Sequence, residues 1–270
     1  MVLAKNGTVK LGGTEMCYAR FGRGEKTLVV LPGLSDGLAT VEGKALLLAG
    51  PYKPIEETYT TYMFSRKNDM PDGYSIKDMA NDLASALRKL GVERAAVLGV
   101  SEGGMIAISL ALEHPALVEK LALAVTAPGV NPLIRERVET WIGFAEAGDH
   151  KSLMIDTAEH SYSPARLKRL RKTYPFLGHI GKPKDYRRFF INARAILSFD
   201  ESDRLSEISC PALILGGEAD DVVGAAASRE LNEKIKNSEL YLYPGLGHAA
   251  YEEAKDFYDR VFRFLQEDKQ

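Results

Sequence analysis

Short apolar runs alternate with amphipathic helical patterns along most of the 270-residue chain. Runs of this length predict buried strands, and the stretches between them carry apolar residues at helical spacing. Strands separated by helices in this rhythm predict an α/β fold, with a mainly parallel central sheet flanked by helices. The predicted strands are Thr27–Leu31, Tyr59–Phe64, Arg94–Val100, Val118–Thr126, Pro211–Leu215 and Glu239–Tyr243. The predicted helices are Ser75–Leu90, Ser101–Glu113, Ala225–Ile235 and Tyr251–Leu265.

The rhythm of strands and helices breaks between Asn131 and Asp200, where apolar stripes at helical spacing follow one another without a strand pattern. We interpret residues 131–200 as a helical insertion that forms a cap (lid) over the carboxyl edge of the sheet. Residues 1–130 and 201–270 then form the α/β core. The stripes are Ile134, Val138, Trp141, Ile142 and Ala145, then Leu167, Leu170 and Tyr174, then Phe189–Phe199.

Composition removes several classes of function. The formal net charge of −2 gives no reason to expect nucleic acid or an anionic membrane as a partner, and leaves a small molecule. Cys17 and Cys210 lie in unrelated contexts, so we expect neither a disulfide framework nor a metal site. We find no apolar signal segment at the start and no stretch long enough to span a bilayer, and we therefore expect a cytoplasmic protein.

A candidate nucleophile lies in the run Gly99-Val100-Ser101-Glu102-Gly103, which has the form G-x-S-x-G. The motif falls between a predicted strand and a predicted helix, where a strained turn lifts the serine hydroxyl clear of the sheet. The flanking glycines let the backbone pass close to its neighbours, and the helix N-terminus presents amide hydrogens to a developing oxyanion. The alternative is a serine that only caps the helix.

A serine nucleophile needs a base and an acid that orients the base, in the chain order Ser, Asp or Glu, His. His248 follows the last predicted strand in a glycine-rich loop, and is our candidate base. The preceding strand is followed by three carboxylates, of which Asp220 is our choice from its spacing to the glycines before it. Glu218 and Asp221 stay open as alternatives.

The other histidines have simpler interpretations. We expect His114 to serve the end of its helix, where a histidine can bond the last carbonyl groups. The remaining three lie in polar parts of the predicted cap, and we expect them to be solvated. They are His150, His160 and His179.

These motifs together resemble the α/β-hydrolase superfamily, in particular its small capped serine esterase and lipase-like branch. The resemblance covers nearly all of the chain except the cap. Two departures lie outside the candidate catalytic groups: Pro32-Gly33 replaces a usual His-Gly, and only Arg66 matches a usual Asp-x-Arg-Gly pattern. The motifs that carry the resemblance are Gly99–Gly104, Gly217–Asp220, Gly247-His248, Leu31–Leu34 and Tyr74–Ile76.

The resemblance implies roles for individual residues. Ser101 resembles the nucleophile, Asp220 the acid and His248 the base of a catalytic triad. The backbone amides of Leu34 and Glu102 resemble an oxyanion hole. The chemistry implied is attack on a carbonyl, an acyl-serine intermediate and its hydrolysis by water, with no metal or organic cofactor.

Two side chains are candidates for contact with a substrate. Glu102 follows the nucleophile, and its carboxylate either bonds to a neighbour or solvent, or binds a cationic or hydroxyl-bearing substrate group. Trp141 lies in the predicted cap and either lines an acyl pocket or packs the cap against the core.

Several functions share this triad. A serine in the predicted strand-to-helix turn around Ser101, called the elbow below, argues against epoxide opening and halide displacement, which relatives perform with an aspartate. Our leading prediction is a carboxylesterase-like serine hydrolase that cleaves small to medium acyl esters. A peptidase or amidase resembling an aminopeptidase and a carbon–carbon bond hydrolase stay open. So does a ligand-sensing protein that keeps the triad but turns over slowly. The sequence gives no indication of the oligomeric state.

Overall fold

The computed structural model describes residues 4–267, so the first and last three positions of the predicted core lie outside the described residues. Within this range eight strands form one sheet, in the order β1-β2-β4-β3-β5-β6-β7-β8. The strands are β1 (Ala4–Leu11), β2 (Thr14–Gly22), β3 (Lys26–Leu31), β4 (Tyr59–Lys67), β5 (Ala95–Val100), β6 (Val118–Ala124), β7 (Ala212–Gly217) and β8 (Ser238–Tyr243).

Most neighbouring strands run parallel. The strands β1 and β2 form an antiparallel hairpin, and β2 also pairs antiparallel with β4, whereas every pair from β4 through β8 is parallel. The carboxyl ends of the parallel strands therefore meet at one edge of the sheet, and the loops that follow them lie close together. The predicted fold class, a mainly parallel sheet flanked by helices, is confirmed.

Helices cover both faces of the sheet. Val97 and Leu98, which are neighbours in β5, belong to two different apolar clusters, because successive side chains of a strand point to opposite faces. The α-helices of the described residues are α1 (Ala45–Leu48), α2 (Ile76–Lys89), α3 (Glu102–Glu113), α4 (Pro132–Glu146), α5 (His150–Ser161), α6 (Pro164–Leu170), α7 (Arg187–Leu197), α8 (Ala225–Lys234), α9 (Ala250–Glu253) and α10 (Phe257–Gln266). Short 3₁₀ helices lie at Leu34–Gly37, Gly50–Ile55, Pro115–Leu117, Arg171–Phe176 and Leu205–Glu207.

The helix before the elbow strand begins where its sequence predicts. Ser75 accepts a hydrogen bond from the Asp78 amide at 3.1 Å, and the Asp78 side chain accepts one from the Ser75 amide at 3.0 Å. This reciprocal capping box satisfies two amide groups that a helix start otherwise leaves without partners. Helix α2 then buries its apolar stripe against α3 and the sheet.

The chain between β6 and β7 contains helices α4 to α7 and, among the described residues, no strand of the sheet. An isolated antiparallel bridge joins Gly129 to Asp200, so the two ends of this excursion lie side by side. The bridge lies next to the predicted boundaries at 131 and 200. The division into a core and a cap stays a prediction.

The structure corrects two details of the predicted elements. The predicted closing helix Tyr251–Leu265 is two helices, α9 and α10, because Ala254 between them has an extended backbone. Hydrogen bonds from the insertion hold the first of these helices, and burial of Phe257 and Val261 holds the second. The hairpin of β1 and β2 was not predicted, because most side chains of β1 are exposed or only partly buried.

Candidate active site

Ser101 lies in a sharp turn between β5 and α3. Its backbone has φ 53° and ψ −120°, a region that non-glycine residues rarely adopt and that stores strain. The turn requires glycine on both sides. A Cβ atom at Gly99 would lie 2.5 Å from the carbonyl oxygen of Gly103, and one at Gly103 would overlap the carbonyl group of Leu31. The G-x-S-x-G spacing is thus a steric requirement of this turn.

Hydrogen bonds on both sides of Ser101 hold the strained turn in place. The Ser101 amide donates to the carbonyl of Ala124 at 2.9 Å, and the Thr126 hydroxyl donates to the carbonyl of Ser101 at 2.7 Å. Helix α3 continues from this point, with the Gly104 amide donating to the same Ser101 carbonyl at 2.8 Å. Ser101 is therefore hydrogen-bonded to β6 and lies immediately before the N-terminus of α3.

The structure brings together the three residues that the sequence predicts as a triad. Nε2 of His248 lies 3.0 Å from Oγ of Ser101, and Nδ1 of His248 lies 3.0 Å from Oδ2 of Asp220. Each residue follows a different parallel strand, β5, β7 or β8, so the carboxyl edge of the sheet assembles them. The order and the distances match those needed for a hydroxyl, a base and an orienting acid.

Asp220 is held as a carboxylate. Its other oxygen, Oδ1, accepts hydrogen bonds from the amides of Val222 and Val223 at 2.8 and 3.0 Å. Burial raises the pKa of this group, but the facing His248 and the two amides outweigh burial, and the pKa lies below its ordinary value. An ionised Asp220 accepts a hydrogen from Nδ1 of His248 and leaves Nε2 free to accept one from Ser101.

The two alternative acids lie elsewhere. Glu218 is exposed, and the half-exposed carboxylate of Asp221 accepts a hydrogen bond from Arg137 at 3.1 Å. Nδ1 of His160 lies 2.6 Å from the same Asp221 oxygen. Of the three carboxylates left open by the sequence, Asp220 is therefore the one that reaches His248.

The loop that carries His248 is packed against the insertion. The Ala249 amide donates to the carbonyl of Ser161 at 2.9 Å, and a Cβ atom at Gly247 would lie 2.7 Å from the same oxygen. Only glycine fits at that position. Contacts from residues 160–163 thus reach both the loop of the acid and the loop of the base.

The two residues of the predicted oxyanion hole flank the serine. A Cβ atom at Gly33 would lie 3.2 Å from Cβ of Ser101, so the loop that begins the 3₁₀ helix Leu34–Gly37 touches the elbow. Glu102 is the first residue of α3, where backbone amides point out of the helix end. The use of the Leu34 and Glu102 amides as oxyanion donors stays a prediction.

The Glu102 side chain does not reach solvent. It is fully buried, and Oε2 lies 3.0 Å from Nη2 of the equally buried Arg66. The contact is an ion pair without aligned hydrogen-bond geometry, because among residues 4–267 neither the Glu102 oxygens nor the Arg66 guanidinium nitrogens have a hydrogen-bond partner. Of the two alternatives for this carboxylate, the structure therefore favours a contact with a neighbour, because the side chain has no exposed surface with which to bind a substrate group.

Burial raises the pKa of Glu102 to about 7. Arg66 is the strongest opposing influence and lowers the pKa, Asp36 raises it further, and the more distant Arg188 lowers it. The sequence singled out Glu102 and noted Arg66, but pattern alone did not pair them. Asp36 and Arg188 were missed entirely.

Other sequence candidates have local roles in the structure. The Trp141 indole is 6% exposed and its Nε1–H donates to Asp156 at 2.8 Å, so the ring packs within the insertion. His150, expected to be solvated, is buried between the Tyr186 hydroxyl and the carbonyl of Ile180, at 2.9 Å from each.

Within residues 4–267 no group of three or more His, Cys, Asp or Glu side chains is arranged to hold a metal ion. No helix of the same range is both long and apolar enough to cross a bilayer. Cys17 and Cys210 are free thiols.

Comparison with known proteins gives consistent matches. The model of the alpha/beta hydrolase fold family matches residues 60–255. A relative from Klebsiella pneumoniae subsp. pneumoniae, named "Putative carbamate hydrolase RutD", is 33% identical over 202 residues, which cover 72% of this chain and 74% of the relative.

Solved structures share the whole fold. The crystal structure of MGS-M2, an alpha/beta hydrolase enzyme from a Medee basin deep-sea metagenome library, superimposes with a TM-score of 0.85 at 20% identity and covers 98% of both chains. The enol-lactonase from Burkholderia xenovorans LB400 superimposes with a TM-score of 0.81 at 20% identity, over 97% of this chain and 100% of the lactonase. The chain therefore belongs to the alpha/beta hydrolase fold family of hydrolytic enzymes.

Proposed function

We propose that the chain is a serine hydrolase in which Ser101 is the nucleophile, His248 the general base and Asp220 the acid that orients the base. One observation carries this proposal: the three side chains form a continuous series of 3.0 Å contacts that ends on a serine in a strained strand-to-helix turn. A serine that only capped the helix would bond to the amides of its first turn, and Ser101 makes no such bond.

The geometry supports acyl transfer in two steps. His248 removes the hydroxyl proton of Ser101 as the oxygen attacks a carbonyl carbon, and the resulting imidazolium is stabilised by Asp220. In this proposal the negative oxygen of the tetrahedral intermediate accepts hydrogen bonds from the Leu34 and Glu102 amides. Collapse of the intermediate expels the leaving group, which takes the proton from His248. Water then hydrolyses the acyl-serine by the same steps.

The substrate class that we propose first is a small to medium acyl ester, cleaved in a pocket that the 131–200 insertion covers as a cap. A carbamate is the second candidate, and the 33% identical relative named "Putative carbamate hydrolase RutD" favours it. A carbamate carbonyl is attacked by the same serine and needs the same oxyanion donors, so the triad serves either substrate. Three other functions stay open: hydrolysis of an amide, hydrolysis of a carbon–carbon bond, and ligand sensing with slow turnover. Measured turnover of ester and carbamate substrates distinguishes the two proposed substrate classes from these three functions.

The experiment compares wild type with Ser101→Ala on p-nitrophenyl esters from acetyl to decanoyl and on a p-nitrophenyl carbamate. Loss of a triad nucleophile costs on the order of a million-fold in turnover. Ser109→Ala is the matched control, because Ser109 lies in the same helix, is buried, and its hydroxyl has no hydrogen-bond partner within residues 4–267.

We expect wild type and Ser109→Ala to turn over at least one substrate class and Ser101→Ala to turn over none. A preference for the carbamate over every ester would select the second candidate. Residual activity of Ser101→Ala within 100-fold of wild type would contradict the assigned nucleophile, since about six decades are expected. Single-turnover labelling of Ser101 by a fluorophosphonate without turnover would support a sensor.

A further inference from the structure

Four buried or nearly buried charged side chains meet behind the candidate oxyanion hole. They come from four separate parts of the chain: the 3₁₀ helix after β3, the end of β4, the first residue of α3, and the insertion helix α7. These charges sum to zero when all four groups are ionised. The residues are Asp36, Arg66, Glu102 and Arg188.

Arg188 is fully engaged with one side of this cluster. Its guanidinium donates to the Asp36 carboxylate at 2.6 Å and to the Asp36 carbonyl at 3.0 Å. It also donates to the carbonyls of Arg66 and Lys67, each at 2.8 Å. Arg188 therefore serves as the counter-ion of Asp36.

Arg66 is the counter-ion of the other carboxylate. Its guanidinium is 3.0 Å from Glu102 but 3.9 Å from Asp36, and both it and Glu102 are almost completely excluded from solvent. Water cannot screen a charge at such a position, so the local electrostatic potential depends on whether the Arg66 cation compensates the Glu102 carboxylate.

The position of Glu102 makes that balance matter for the proposed reaction. The backbone amide of Glu102 is a predicted donor to the oxyanion, so its carboxylate is anchored only a side-chain length from a developing negative charge. An uncompensated carboxylate there would oppose formation of the tetrahedral intermediate. The structure places a cation, the Arg66 guanidinium, where it can resolve this conflict.

We propose that Arg66 is a positioning residue that acts through Glu102, neutralising the carboxylate so that an oxyanion can form beside the Glu102 amide. The inference rests on the proposed function, because it needs an oxyanion at that amide. The proposal explains why Arg66 is present where the rest of the family's Asp-x-Arg-Gly pattern is missing. It gives the Glu102 side chain no contact with substrate.

A pH signature follows from the groups that face Glu102. These are Arg66 from β4, Asp36 from the 3₁₀ helix and Arg188 from α7. Removing Arg66 removes the strongest influence that lowers the pKa of Glu102, so the acid then titrates above its present value of about 7. At lower pH the variant carries a neutral Glu102, which does not oppose the oxyanion. At higher pH the carboxylate ionises without its counter-ion.

The test measures kcat and KM between pH 7 and pH 10 for wild type, Arg66→Met and the double variant Arg66→Met/Glu102→Gln. We expect Arg66→Met to lose kcat progressively as pH rises, by on the order of 10-fold, since the donor itself is retained and loss of a whole donor costs about 100-fold or more. KM should change little. The double variant should show no such alkaline loss, because the opposing charge is gone.

Arg204→Met is the matched control. Arg204 pairs at 2.8 Å with Glu113 at the opposite end of the same helix α3, so its removal also breaks an Arg–Glu pair but leaves the elbow untouched. We expect its pH profile to parallel that of wild type.

A profile of Arg66→Met that parallels wild type would overturn the inference, as would a double variant that keeps the alkaline loss. If Arg66→Met does not fold, Arg66→Lys decides, because it retains a cation at this position. Its kcat should follow the wild-type profile between pH 7 and pH 10, and an alkaline loss on the order of 10-fold would contradict a role limited to charge. Activity that survives in Ser101→Ala would instead refute the proposed function, so the two failures are distinguishable.

Discussion

Replacement of Asp220 by Asn tests the triad without removing any heavy atom. Oδ1 of Asp220 accepts hydrogen bonds from the amides of Val222 and Val223, so the oxygen of the Asn side chain must take that position. The Asn NH₂ group then faces Nδ1 of His248, where Oδ2 now lies 3.0 Å away. Because NH₂ can only donate there, Nδ1 must be the acceptor and the ring proton moves to Nε2.

The wrong tautomer disables the base. A protonated Nε2 cannot accept the hydroxyl proton of Ser101, although the 3.0 Å contact itself is preserved. The corresponding change in a serine protease triad lowers kcat by about 10⁴, and we expect a loss of 10³ to 10⁴ here. At about 1.4 kcal/mol per decade this is roughly 4 to 6 kcal/mol of transition-state stabilisation.

The assay measures kcat at pH 7.5 on whichever ester or carbamate wild type cleaves best. Asp221→Asn is the matched control, because Asp221 is the next residue, is 53% exposed, and binds Arg137 and His160 instead of His248. We expect it to stay within about 3-fold of wild type, as surface substitutions usually have small effects. Retention of more than a tenth of wild-type kcat by Asp220→Asn, or equal losses in both variants, would refute the assignment.

Three further outcomes concern stability. Gly103→Ala should lose at least about 3 kcal/mol of unfolding free energy or fail to fold, because its methyl group would overlap a carbonyl of β3. Gly143→Ala is the control: its methyl group would face open space, so it should be neutral or stabilising in the same denaturation assay. Ser163→Ala should lower the free energy of unfolding by about 1 to 2 kcal/mol, because the Glu253 carboxylate loses the 2.6 Å hydrogen bond that the Ser163 hydroxyl donates. A change below about 0.5 kcal/mol in thermal or chemical unfolding would contradict this. The raised pKa of Glu102 means that the folded protein keeps a proton that the unfolded chain releases. The free energy of unfolding of wild type should therefore fall by about 3 kcal/mol as the pH rises from 4.5 to 7. Glu102→Gln should lack that fall when wild type and the variant are each denatured at pH 4.5 and at pH 7.

The parts of the fold that follow from local periodicity were predictable from the sequence. Helix α2 carries its apolar stripe, its capping box and Gly91 at its end within one segment, so its bounds needed no tertiary information. The elbow was predictable for a similar reason: Gly99 and Gly103 are required by clashes with backbone only four residues away or on the adjacent strand. The causes of the α2 bounds and of the glycine at position 99 lie within a few residues in the chain, whereas the carbonyl that excludes a side chain at Gly103 belongs to Leu31 on the adjacent strand.

The features that were missed depend on distant partners or on weak burial. The β1–β2 hairpin turns at Gly12-Gly13, which is a hairpin signal, but β1 buries too few side chains to show alternation. The break in the closing helix depends on hydrogen bonds that Glu252 and Glu253 receive from residues 90 positions earlier. The Arg66–Glu102 pair joins residues 36 positions apart, and no spacing rule connects them.

Contacts of the 131–200 insertion hold the loops of the proposed triad. Residues of the insertion bond to the acid loop through Asp221, and to the base loop through the amide of Ala249. Helix α7 of the same insertion bonds to Asp36, next to the candidate oxyanion loop, through Arg188. All three regions that must converge on Ser101 are thus bonded to one helical segment as well as to the sheet.

A substitution within residues 131–200 can therefore alter the alignment of the triad without touching substrate. Reduced activity of such a variant is not by itself a sign of an altered pocket. Separate measurement of KM and kcat distinguishes the two, because misalignment of the triad lowers kcat while loss of a pocket contact shared by the ground and transition states raises KM.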